Sequence, residues 1–135
     1  MAYWLLKSEP DSYGWDDLVR DGSTEWDGVR NAAAARHLRA VRHGDEALVY
    51  HSGGQRAAVG IARVEREARA DGDDGRWVSI AIRPLRPLPR PVTLATMRAT
   101  PALAGMTMLR QSRLSVSPVT PDEWRTLLAL AGPEG

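Results

Sequence analysis

The chain contains no cysteine and no phenylalanine. Of its eighteen basic residues only Lys7 is a lysine. Without cysteine there is no disulfide, thiolate zinc site, iron–sulfur cluster or thiol nucleophile. A basic surface made almost entirely of arginine favours planar, bidentate and stacking contacts over point-charge contacts. Neither sign of charge is in excess, since eighteen basic and seventeen acidic residues leave a net +1. That balance argues against a strongly basic nucleic-acid coat protein and leaves room for a local basic patch. Long apolar runs are missing as well, and none approaches the roughly 20 residues that a membrane helix needs. The start, Met1-Ala2-Tyr3-Trp4-Leu5-Leu6-Lys7, has no basic leader region and is too short for a signal peptide. The expectation is a soluble, cytoplasmic protein.

What is present suits one domain. A chain of 135 residues, 43% hydrophobic and 26% charged, has globular proportions and enough length for one core, so bulk disorder is not expected. Residues 3–7 read as a short buried strand ended by the turn-forming Ser8-Glu9-Pro10-Asp11. Gly14 precedes a short helix over 15–20, with Asp17 at the third position as in a capping box on a poor cap. Residues 26–31 read as an ordered loop, and Asn31 as the cap of a helix over 32–42 whose stripe includes Ala34, Leu38 and Val41. Gly44 is expected to end that helix.

Strands follow at 46–51, 57–65 and 77–82, separated by turns at Ser52-Gly53-Gly54-Gln55 and Asp71-Gly72-Asp73-Asp74-Gly75. Pro84, Pro87, Pro89 and Pro91 exclude a central strand there and predict an edge or an extended crossing. A short helix over 93–100 and a short strand over 113–116 come next. Thr120, Pro121 and Glu123 then open a last helix, whose apolar face is Trp124, Leu127, Leu128 and Ala131 and whose stop is Gly132-Pro133.

The catalytic and metal classes find little support. Ser8, Ser52, Ser112, Ser115 and Ser117 are available nucleophiles and His51 a base. No Gly-x-Ser-x-Gly elbow exists, however, and His51 and Ser52 would point opposite ways on a strand. His37 and His43 lie six apart on one helix, which is not a shared face, and both are expected near solvent at the helix end. The cluster Asp71, Asp73 and Asp74 lacks the closing Glu of a calcium loop and reads as a hairpin turn. No metal site and no cofactor is expected.

Five tryptophans and three tyrosines remain, each a flat face with a polar edge. Trp4, Trp77 and Trp124 read as core. Trp26, in a polar stretch leading to a helix cap, reads either as core or as a stacking platform for a flipped base. Arg110-Gln111-Ser112-Arg113 is either a solvated loop or a cluster that contacts phosphates and base edges. Arg83, Arg86 and Arg90 among the prolines either follow a nucleic-acid backbone or serve solubility.

Taken in order, several segments resemble the EVE domain. They are 3–10 (Tyr-Trp-Leu-Leu-Lys-Ser-Glu-Pro), 13–18, 26–31 (Trp-Asp-Gly-Val-Arg-Asn), Gly44-Asp45 leading to Tyr50-His51-Ser52, 59–62, 91–94 and 110–119. The resemblance runs from about residue 3 to residue 132. It implies an α+β, PUA-like fold: a small mixed β barrel of five to six strands with surrounding helices, related to YTH domains. It also implies a non-catalytic binder of a modified base in DNA or RNA, 5-methylcytosine or 5-hydroxymethylcytosine being the expected marks. Carried over, the pocket draws on Lys7, Ser8, Trp26, Asn31, Tyr50, His51, Ser52, Gln111 and Ser112. Arg30, Arg110 and Arg113 are assigned to the backbone or the base edge. Trp26 is expected to be the stacking wall, so that Trp26→Ala removes the preference for the modified base while the fold survives. One departure is Gly14, where a capping serine would be expected, and a looser first helix should follow. A copy with no fused effector is expected to act as a monomeric reader or to recruit one in trans. The alternatives are an RNA- or nucleotide-modifying enzyme, or an accessory subunit of one, with His51 as base, and a module that holds a small metabolite.

Overall fold

Strand β1 (Tyr3–Ser8) carries the unbroken apolar run Trp4-Leu5-Leu6 because both of its faces are covered. In a strand, alternate side chains face opposite sides. Trp4 and Leu6 accordingly enter one core layer and Leu5 the other. The computed structural model describes residues 1–133.

After β1 come α1 (Pro10–Tyr13), α2 (Trp15–Asp21), β2 (Thr24–Trp26) and α3 (Ala32–Ala40). Three long strands follow: β3 (Glu46–His51), β4 (Ala57–Ala70) and β5 (Val78–Thr93). The chain then forms α4 (Leu94–Ala99), a 3-10 turn (Pro101–Leu103), α5 (Thr107–Arg110), β6 (Val116–Val119) and α6 (Pro121–Ala131). The strands make one mixed sheet in the order β2-β5-β4-β3-β1-β6. β1 runs parallel to β3, and the other pairings are antiparallel. The architecture is α+β, as expected, but the barrel does not close, because β2 and β6 are the two ends of the sheet.

One layer packs Trp15 and Leu18 of α2 and Ala34 and Leu38 of α3 against Leu6, Val49, Val64, Ile80 and Val116. The other packs Met97, Leu103, Met106, Trp124 and Leu127 against Leu5, Leu48 and Ile61. There the Trp124 ring of α6 stacks on Tyr3 of β1, with centroids 4.3 Å apart. At Gly60 a side chain would force a shift: a Cβ would lie 2.6 Å from the Trp15 ring, which rests directly on the backbone of β4.

Several expected boundaries moved. Residues 24–26 form β2, so Trp26 is a strand residue opposite Ile80, and the loop expected from residue 26 starts one residue later. α3 ends at Ala40, because Val41 leaves the helix for the core and Asp45 accepts the Arg42 amide in a turn at 2.9 Å. Gly44 does take a left-handed φ of +89°, but in that turn and not at the helix end. His37 is half-buried, its ring centroid 6.2 Å from that of Trp4, rather than facing solvent. Burial, helped by Arg36, lowers its pKa. The last strand begins at Val116, because residues 111–115 form a turn whose end is held by the Lys7 amide donating to Ser115 O. The four prolines lie within one continuous strand. β2 pairs only as far as Ile82, so from residue 83 onward β5 has β4 on one side alone and is an edge, where proline is tolerated.

Candidate functional site

The site forms where β1 outruns its neighbour. β6 pairs with β1 only to Leu6, so Lys7 and Ser8 project past it while still in register with Tyr50 and His51 of β3. The stretch 24–29 and the loop 110–114 flank this end of β1.

The largest of three openings here, about 590 Å³, is lined by Lys7, Ser8, Tyr13, Thr24, Trp26, Asp27 and Gly28, among others. Its size falls within the range usual for small-ligand sites. Trp26 contributes to the wall while remaining 9% exposed and packed into the same layer as Trp15 and Leu18. It is therefore core and wall together. The burial weighs against the expectation that alanine at this position would spare the fold, since removing a buried indole typically costs several kcal/mol. The Ser8 hydroxyl donates to Tyr13 O at 2.6 Å, which leaves its lone pairs free to accept. Glu25 also lines the opening, but it takes a two-point ion pair from Arg66, at 2.5 and 2.8 Å, and a bond from Ser79 at 2.9 Å. The Arg66 guanidinium holds its carboxyl down at about 2, so Glu25 is ionised and committed and has no proton to give near neutral pH.

Two smaller openings adjoin. One, about 310 Å³, is lined by Asn31, Gln111, Ser112 and Arg113. The other, about 160 Å³, is lined by Lys7, Tyr50, Ser52, Arg56, Arg98 and Ser112. The Lys7 ammonium donates to Ser112 O at 2.6 Å and lies 5.8 Å from the Tyr50 ring centre. Lys7 thus borders the largest and smallest openings, and Ser112 borders the two small ones. Burial lowers the Lys7 pKa and raises that of Tyr50.

Nine of the twelve residues expected at the site line these openings. Asn31 is also the cap of α3, its Oδ1 accepting the Ala34 amide at 3.0 Å, so only its amide nitrogen is left for a ligand. The other three sit elsewhere. Arg30 pairs with Asp71 at 2.9 Å and lies 5.6 Å from the Trp77 ring centre. Arg110 is exposed in the last turn of α5. His51 is buried, its Nε2 accepting the Trp15 amide at 3.0 Å and its Nδ1 facing Gln55 Oε1 at 2.7 Å. Those partners fit the tautomer with the proton on Nδ1 and leave neither nitrogen for a substrate. The enzymatic alternative built on His51 as base therefore finds no support in the geometry.

Tyr13, Asp27, Arg56 and Arg98 line the openings without having been singled out. Arg56 follows the Gly53-Gly54 turn, and Arg98 is brought alongside only by the path of α4. No local pattern marks either of them.

Comparison with known proteins places this geometry in context. The EVE domain model matches residues 2–130. Thymocyte nuclear protein 1 of Mus musculus is 32% identical, over 95% of this chain and 73% of its own length. The solution structure of Rpa0253 from Rhodopseudomonas palustris is 45% identical with a TM-score of 0.93, covering 98% of this chain and 94% of that one. The human THYN1 protein, crystallised in complex with DNA containing 5-methylcytosine, is 27% identical with a TM-score of 0.91, each chain being covered over 100%.

Proposed function

The chain belongs to the EVE domain family, and from that premise we propose that it is a non-catalytic reader of modified cytosine, holding an extruded 5-methylcytosine of DNA in the 590 Å³ opening between β1 and β2. The observation that carries this reading is the placement of Trp26 beside Lys7 and Ser8, where β1 runs past the end of β6. An apolar wall and two polar groups there meet in a cavity of a fold whose human relative was crystallised with 5-methylcytosine DNA. Trp26 gives the ring a surface, the Ser8 oxygen accepts from an exocyclic amine, and Lys7 donates to a carbonyl. Gln111, Ser112 and Asn31 reach the flanking part of the strand from the adjoining opening.

The test is a fluorescence titration of the protein with short DNA strands that differ in one cytosine, bare or 5-methylated. A site shaped around one added methyl discriminates by about 1–3 kcal/mol, or roughly 10- to 200-fold. Ser8→Ala and Trp26→Phe, which keeps an aromatic ring in the core, are expected to shrink that preference in proteins that still fold. Equal affinity of the unaltered protein for both strands would refute the reading.

A further inference from the structure

The smallest of the three openings carries charge of only one sign. Lys7, Arg56 and Arg98 line it with Tyr50, Ser52 and Ser112, and no carboxylate is among its walls. The three cations come from separate elements: the end of β1, the turn between β3 and β4, and α4. Gathering like charges is unfavourable unless an opposite charge joins them. Several arginines elsewhere in the molecule do have acids beside them, as in Arg20 with Asp17, Arg30 with Asp71 and Arg66 with Glu25. Arg56 donates only to the Gly53 carbonyl, at 3.2 Å, and among the described residues neither it nor Arg98 has an acidic partner.

Two further observations concern the placing of these two arginines. Arg56 has a φ of +48°, the one positive value outside glycine among the described residues, and its carbonyl accepts the Leu94 amide at 2.8 Å. Such a conformation costs of order 1 kcal/mol and persists only where its surroundings enforce it. Arg56 and Arg98 also both act by charge on the Tyr50 phenol, against the larger effect of burial, which puts the two near the same hydroxyl.

We propose that Lys7, Arg56 and Arg98 form a preorganised site for one phosphodiester group of the bound strand, next to the base opening that Lys7 also borders. The assignment rests on the base-reading function for the position of the strand, but the cluster of charges stands without it. At about 160 Å³ the opening falls below the roughly 300–1,000 Å³ of a typical organic-ligand site, which suits a small anion and not a second base. Tyr50, Ser52 and Ser112 supply neutral donors to the same oxygens.

The experiment measures affinity for single-stranded DNA, with and without one 5-methylcytosine, across a series of KCl concentrations. Unaltered protein is compared with Arg98→Gln, Arg56→Asn (a residue that tolerates positive φ) and the double variant, and Arg125→Gln on α6 serves as the charge control. For a single strand, each phosphate that is no longer neutralised should reduce the slope of log K against log salt by about 0.7. The expected result is a shallower slope in the Arg56 and Arg98 variants, an unchanged slope in the control, and an unchanged ratio between methylated and bare strands. A double variant with the original slope would overturn the site, and so would a slope reduced equally by the control. If the unaltered protein shows no methyl preference while its slope still falls in the variants, the base reading fails and the phosphate site stands. Competition by inorganic phosphate that disappears in the variants, without any change in their DNA slope, would show a free-anion site and overturn the backbone assignment.

Discussion

At Gly14 helix α2 begins without a side chain to receive its first amides, and His51 of β3 supplies the missing acceptor. Its Nε2 takes the Trp15 amide, while Asp17 reaches back to the Gly14 amide at 2.7 Å. The helix expected to be loose is thus capped in trans by β3. Loss of that acceptor should cost about 1–2 kcal/mol, so His51→Ala is expected to lower the urea midpoint and leave DNA affinity unchanged. A variant that folds as stably but no longer binds would return His51 to the site. Gly60 is the opposite case, a place where an addition forces a shift. Gly60→Ala sets a methyl against the Trp15 ring and should cost about 1–3 kcal/mol, read as a fall in Tm. An unchanged Tm would mean that the ring can move aside. Of the residues that line the openings, Trp26 could be picked out from a local pattern, a tryptophan beside a helix cap, whereas Lys7 and Ser8 entered only through the resemblance to the family. Arg56 and Arg98 were not legible, because their meeting depends on how distant elements fold together.

Among the elements, β2 shows how three residues can tie a sheet together. Glu25 of β2 accepts from Arg66 of β4 and Ser79 of β5, so one carboxylate spans three strands. Its pKa is about 2 against an ordinary 4.5, which makes it a stabilising group above pH 4.5 whose contribution disappears as the pH falls toward 2. The Glu25 side chain is 35% exposed, so solvent screening brings that contribution down to ~1 kcal/mol. Glu25→Gln should therefore be less stable than the parent at neutral pH and converge with it near pH 2, in chemical unfolding followed across that range. Parallel curves would show that the ion pair contributes nothing. A strand of three residues has no measurable period, which is why the sequence shows no strand over 24–26 and starts the loop at Trp26. The last helix was legible to the residue: Thr120 accepts from the Glu123 amide, and the Glu123 carboxylate returns to the Thr120 amide. The prolines of β5 predicted an edge, and an edge is what they occupy. Their strand stayed hidden because only pairing with β4 shows it to be continuous with 78–82.

Over the whole molecule, one sheet serves both apolar layers. Trp4, Trp15 and Trp26 lie in one and Trp124 in the other, and Leu5 is the neighbour in sequence of both Trp4 and Leu6 across the sheet. Neither layer can melt without releasing strands that the other needs. Unfolding followed by tryptophan fluorescence and by far-ultraviolet circular dichroism should therefore give coincident midpoints. Two separated transitions would mean that the layers fold independently. The α+β class and the order of the long elements followed from hydrophobic period and punctuation. The open ends of the sheet did not, since closure depends on pairings between residues far apart in the chain.

Past Ile82 the outer side of β5 has no strand beside it, and four of the ten residues from 83 to 92 are prolines without an amide hydrogen. A row of donors with so many gaps is a poor template for a further strand, whether from a peptide or from another copy of the protein. Crowded molecules of this protein are thus guarded against zipping together along that margin. The strand of DNA proposed to bind at the open end of β1 asks nothing of a strand's amides and would meet no such barrier there.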